Sequence, residues 1–207
     1  MIKVTNLIGM LAITLLMVGC GSSETSSNTI NQDTTNQDTT DLVFSEELLI
    51  SDSLKQDYLD AINSARAVSQ DCGTAGVKPA VDALAWSDKL HEAAVEHSYD
   101  MVVSGQFTHD GSGTSSDRTA MNTGLGRGSS SSERITYNGY EWSAAGENIA
   151  AGTNVDTAEE VIQMWLESDG HCANLMNPNF KDVGMAMVED GNSDYIHYWT
   201  QNFAAPH

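Results

Sequence analysis

Apolar residues recur at helical spacing three times along the first four-fifths of the chain, and then the period changes to strict alternation close to the C-terminus. Leu54, Tyr58, Ala61, Ile62, Ala65 and Val68 form the first pattern, with Ser53 placed to cap it and Cys72-Gly73 beyond its end. Ser87 precedes the second, Leu90, Ala93, Ala94, His97 and Met101, and Gly105 stops it. Thr157-x-x-Glu160 has the form of a capping box ahead of Val161, Ile162 and Trp165, and this third helix is expected to run toward Ser168 and leave at Gly170. Val183, Met185 and Met187 then alternate with smaller residues, Asp190-Gly191-Asn192 supplies turn chemistry, and Tyr195 to Phe203 is β-branched and aromatic, which predicts a hairpin. Helices followed by short antiparallel strands predict an α+β domain.

The N-terminal quarter reads differently. A short basic start, an apolar run over Leu7 to Val18 and then Gly19-Cys20 predict a signal peptide over residues 1–19, too short in its apolar part to span a bilayer. Leu16-Met17-Val18-Gly19-Cys20 resembles the lipobox of bacterial lipoproteins, which implies cleavage before Cys20 and a membrane anchor on its thiol. Several acyl chains on one residue hold far better than one, since each buried methylene contributes about 0.8 kcal/mol. Residues 20–50, rich in Ser, Thr and Asn and carrying the repeat Asn-Gln-Asp-Thr-Thr, cannot bury enough apolar surface to order themselves and are expected to act as a linker. One domain of ordinary size follows over 51–207, expected as a monomer. A formal net charge of −20 with no basic patch excludes nucleic acid as a direct partner, because phosphate recognition needs clustered Lys and Arg.

With Cys20 lipidated, Cys72 and Cys172 remain as an even pair in an oxidising compartment and are expected to bridge. Closing a loop of about 100 residues stabilises by about 4.7 kcal/mol in the chain-entropy treatment. Gly111 to Ser132 is dominated by Gly and Ser, lacks a hydrophobic period and is expected to be a long surface loop.

Two segments carry the chemistry. Glu147 lies in Gly146-Glu147-Asn148-Ile149-Ala150, and His171 in Trp165-Leu166-Glu167-Ser168-Asp169-Gly170-His171. With Asn63-x-x-Arg66, Leu84-Ala85-Trp86-Ser87, Gly139-Tyr140-Glu141-Trp142 and the terminal Tyr198-Trp199-Thr200-Gln201-Asn202-Phe203, they resemble the CAP superfamily (cysteine-rich secretory, antigen 5, pathogenesis-related), in particular its bacterial secreted members. The resemblance implies a three-layer α-β-α sandwich around a central antiparallel sheet, with residues 110–138 as an insertion. It also implies a tetrad in which His109 and His171 ligate a divalent ion, Zn²⁺ by preference, with Glu147 and Glu167 behind them as supporting acceptors.

Two functions follow as expectations. The favoured one is a non-catalytic binding protein holding a small apolar or cell-surface ligand in a cleft around the tetrad, anchored outside the cytoplasm at an outer membrane or cell surface. The other is a metal-assisted hydrolase in which Glu147 or Glu167 serves as general base. No Gly-x-Ser-x-Gly elbow occurs, which leaves covalent catalysis without support. His91-Glu92 and Glu96-His97 do not form a zincin motif, since six-residue spacing points the histidines about 120° apart around a helix. His97 is expected in the core, His91 in solvent, and His197 and His207 without a special role.

Overall fold

The structure is a computed structural model that describes residues 50–207; the leader, Cys20 and nearly all of the linker lie outside the described residues. Its elements in chain order are α1 (Asp52–Arg66), β1 (Gln70–Asp71), a 3₁₀ turn (Gly73–Ala75), β2 (Val77–Lys78), β3 (Ala85–Trp86), α2 (Asp88–Ser104), α3 (Arg118–Thr123) and α4 (Ser131–Tyr137). They continue with β4 (Trp142–Gly152), α5 (Ala158–Leu166), α6 (Asp169–Leu175), β5 (Asp182–Glu189) and β6 (His197–Pro206). The main sheet has the order β3-β5-β6-β4. β5 and β6 form the C-terminal hairpin and β4 is antiparallel to β6, while the two-residue β3 joins β5 in parallel. The architecture is therefore the expected α+β sandwich, with one short parallel strand at its edge.

Strand alternation sorts the core into two layers. Val183, Met185, Trp199 and Phe203 face α1 and α5, where they pack with Tyr58, Ile62, Val161 and Trp165. Ala186, Val188, Tyr198 and Ala204 face α2, meeting Leu90, Ala93, Ala94 and Met101 in smaller clusters. β6 is buried over nearly its whole length because it is covered on both faces. Gly184 lets α2 approach β5 closely: a Cβ there would fall within the backbone of Leu90 and His91.

Helix ends follow local chemistry. Ser87 caps α2 by accepting from Leu90 N, and Gly105 closes it in the left-handed region at φ 68°. Thr157 and Glu160 form the expected capping box on α5. α1 is capped by Ser51, not Ser53, and begins two residues earlier than the sequence suggests. Arg66, fully buried at its end, donates to the carbonyls of Asp82, Leu175 and Asn177, while Asn63 bonds both backbone groups of Leu84. The Asn-x-x-Arg pair thus ties α1 to two distant loops.

Three further expectations need correction. The third helix stops at Leu166, with Glu167 as its C-cap, and a separate helix restarts at Asp169, so Gly170 lies inside α6 and ends nothing. The Gly/Ser-rich stretch is not one long surface loop. It contains α3 and α4, pinned by buried carboxylates: Asp117 accepts from Gly113 N, Ala120 N, Ser129 N and Ser129 Oγ, and Glu96 of α2 accepts from Thr119 N. His91 is buried, not solvated, with Nδ1 donating to Met185 O at 2.9 Å. Neutral burial fits it, since desolvation holds its pKa below the ordinary histidine value.

Candidate functional site

β4 is the edge strand of the sheet, and the site straddles that edge. Glu147 points to the α2 face, whereas Gly146 and Asn148 point to the face that α6 covers. Gly146 is small for a reason: a Cβ would stand 2.7 Å from Phe180 Cζ and 3.3 Å from Asn174 Oδ1. The edge itself is closed by side chains. Asn174 donates to Glu147 O at 3.1 Å and Trp165 Nε1 to Ile149 O at 3.0 Å, so these carbonyls do not await another strand.

On the α2 face Glu147 is a buried carboxylate with both oxygens engaged. His109 Nδ1 meets Oε1 at 2.9 Å, and Arg134 Nη2 meets Oε2 at 2.9 Å. His97 Nε2 stands 3.9 Å from Oε1 and donates instead to Thr108 O at 2.9 Å. Burial pushes the Glu147 pKa up, but Arg134, then His97 and the His109 hydrogen bond, outweigh it and hold the carboxyl at about 2. His97 is pushed the other way by burial, down to about 4 against the pull of Glu147, and is neutral at pH 7.

Arg134 organises this face. It comes from α4, is 1% exposed, and besides Glu147 donates to His109 O, Ser129 O and Ser129 Oγ. One guanidinium thereby fixes both the carboxylate and the backbone of the histidine that the carboxylate orients. Because Glu147 accepts the Nδ1–H of His109, the Nε2 lone pair of that half-exposed ring is directed away from the carboxylate.

His171 reaches the same edge from the opposite layer. Asn148 donates to its carbonyl at 3.2 Å and to Gln201 Oε1, and Asn174 links Asn148 Oδ1 to Glu147 O. The adjacent Cys172 is bonded to Cys72, with Cα atoms 5.4 Å apart, and Asp169 accepts from the backbone and hydroxyl of Thr74. His171 is half-buried, and burial, followed by the repulsion that two protonated rings would feel at His109 and His171, keeps its pKa below the ordinary value. The two imidazoles are therefore electrostatic neighbours across the β4 edge.

Glu167 does not share this arrangement. It is exposed, takes a hydrogen bond from Gln163 at 3.4 Å, and is separated from His171 by the helix break at Ser168. Sequence spacing overlooked Arg134, Asn148 and Asn174. A signal for the first did exist: Ser130-x-x-Glu133, immediately before it, is a capping box that starts α4.

Residues 59–203 match the cysteine-rich secretory protein family, CAP, which is most of the chain. The chain belongs to that family. Two curated relatives from Bacillus subtilis (strain 168) are similar to this CAP chain: the uncharacterized protein YkwD, 45% identical over 65 residues, and the uncharacterized membrane protein YlbC, 28% identical over 127 residues. Those matches cover 31% and 61% of this chain and only 23% and 30% of the relatives. Among solved structures, an extracellular SCP-domain protein of Bacillus anthracis str. Ames superposes with a TM-score of 0.51 at 26% identity, over 75% of this chain and 44% of the other. An outer surface protein of Borrelia burgdorferi gives 0.50 at 16% identity over 84% and 96%, a likeness of fold alone.

A divalent ion can be tested against the donors. Among the described residues no group of three or more His, Cys, Asp or Glu side chains gathers as a metal site. What remains is a pair of imidazoles, one backed by a carboxylate as ligating histidines usually are. Those two nitrogens would furnish at most a two-nitrogen site completed by water or ligand, not a closed structural zinc site.

Proposed function

We propose that this CAP domain is a binding module working outside the cytoplasm, held to a membrane through Cys20. His109 and His171 take a divalent cation, and with it a small apolar or cell-surface ligand, at the β4 edge. The observation that carries binding over hydrolysis is the state of Glu147: both oxygens are occupied and its carboxyl is held at about 2, so it has no proton affinity to offer at neutral pH. It acts by orientation, setting the His109 tautomer. Glu167, the other carboxylate considered as a base, is exposed and bonded to Gln163.

An extracytoplasmic location is supported by the Cys72–Cys172 bridge and by likeness to an extracellular SCP-domain protein. No helix among the described residues is long and apolar enough to cross a membrane. Anchoring is proposed on the residues of the lipobox-like segment Leu16 to Cys20 alone, and the domain is proposed to be monomeric.

Calorimetric zinc titration tests the site directly. Wild type should bind in the micromolar range or weaker, and His171→Ala and His109→Ala should each lose most of that affinity, as removal of one of two nitrogens requires. Equal binding by wild type and His171→Ala would reject the ligand pair. Chelator-sensitive peptidase turnover would reject the binding reading in favour of hydrolysis.

A further inference from the structure

A second concave site lies away from Glu147, in the segment between His109 and Trp142. α3 and α4 enclose a groove of about 360 Å³, with Leu125 and Tyr137 on its walls and Trp142, at the start of β4, beneath. Thr136 and Trp142 also border an adjoining groove of about 780 Å³ that extends toward Tyr140 and His207. The indole thus lines both hollows.

Thr119 supplies an independent observation. It lines the smaller groove, is 1% exposed, and its hydroxyl has no hydrogen-bond partner, although its N–H and carbonyl are both engaged. An unpartnered buried hydroxyl is costly and uncommon in folded proteins, and at the wall of a hollow it marks a place where another polar group is accepted. The Trp142 N–H is already given to Thr136 Oγ1 at 3.1 Å and part of the ring packs against the Leu90 and Ile135 cluster, so the remaining exposed part of the ring is what is left for a ligand.

Charge narrows the class. Glu133, the carboxylate in this groove, is neutralised by two hydrogen bonds from Arg127 and takes two more from Ser130. It holds no surplus charge to anchor a cation in the smaller groove, where the aromatic ring and the orphan hydroxyl lie. The chain's net charge of −20 disfavours anions. A purely apolar occupant would leave the Thr119 hydroxyl unpaired. A neutral ligand that pairs hydroxyls with C–H faces suits the combination of Thr119, Ser132 and Thr136 with Trp142 and Tyr137.

We propose that the α3–α4 groove binds a neutral saccharide, with one ring against Trp142, a hydroxyl bonded to Thr119, and further rings passing along the adjoining hollow. This site is separate from the imidazole pair and does not depend on a metal.

The test uses the full chain and three neutral probes: the tetrasaccharide of N-acetylglucosamine, cellotetraose and maltotetraose. Trp165 and Trp199 are buried, so a ligand-induced fluorescence change reports on the partly exposed Trp142 or Trp86. At least one probe should alter emission and give a calorimetric isotherm, Trp142→Ala should abolish both, and His171→Ala should leave both unchanged. Thr119→Val keeps shape and removes the orphan hydroxyl. It should hold or raise Tm while weakening saccharide binding about tenfold, the loss of one hydrogen bond. Absence of binding by all three probes at millimolar concentration, undiminished binding by Thr119→Val, or displacement by tetramethylammonium or decanoate would each overturn the assignment.

Discussion

Replacing Arg134 by Met keeps much of the side-chain volume while removing every donor, and this isolates the electrostatic role of the residue. Four hydrogen bonds disappear: to Glu147 Oε2 and His109 O at 2.9 Å, and to Ser129 O and Oγ at 2.7 and 3.2 Å. The main cost is the carboxylate left behind, which at 6% exposure cannot recover its hydration. Breaking such a buried pair by deleting one partner costs about 3–5 kcal/mol, which for a domain of this size lowers Tm by about 6–20 °C. Urea unfolding followed by circular dichroism at pH 7, with the disulfide intact, measures it. In the double variant Arg134→Met/Glu147→Gln the stranded charge is gone, so at least half of the loss should return. Should Arg134→Met cost less than about 1 kcal/mol, or the two substitutions add without coupling, the pair is not what holds this face together. Carboxyl NMR on Arg134→Met should show Glu147 titrating well above its wild-type value near 2.

Lowering the pH should destabilise the domain before most carboxylates titrate. His97 titrates near 4 in the fold and near 6.5 when unfolded, so the unfolded chain binds the extra proton and stability falls through that window by up to about 1.4 kcal/mol per pH unit; urea midpoints of wild type and His97→Gln at pH 7, 5.5 and 4.5 should converge as pH falls. Glu147 works at lower pH: its stabilisation is present above its unfolded value near 4.5 and is lost as pH falls toward 2. Substituting Cys72 and Cys172 by Ala reopens a loop whose ends are 100 residues apart and should cost about 4.7 kcal/mol in chemical denaturation; a loss under 1 kcal/mol would mean the bridge adds little beyond packing. Gly184→Ala drives a methyl into the backbone of α2 and should lower soluble yield or Tm far more than an exposed Gly191→Ala.

Much of the frame was legible because local chemistry and periodicity agree there. Ser87 and Gly105 bracket α2, Thr157 and Glu160 start α5, and the alternation after Val183 is the β5–β6 hairpin. The Gly/Ser segment was not legible as α3 and α4. Helices of 6 and 7 residues show little period, and what stabilises these is Asp117, the N-cap of α3, which also holds Ser129 ahead of α4, and Glu96 reaching Thr119 N from α2. The break after Leu166 escaped for the opposite reason. Its neighbours favour helix, and Gly170 reads as a stop although it is the second residue of α6.

Sequence alone determined the family, the layer order and the presence of Glu147, His109 and His171, since these rest on short motifs whose residue types are visible without contacts. Folding decided what each does. Glu167 and Glu147 look alike on paper, but a helix end leaves one in solvent, and Arg134 with His109 holds the other buried and ionised. The sign and size of an electrostatic interaction depend on distance and on exclusion of water, and both arise only when β4, α4 and α6 pack against one another.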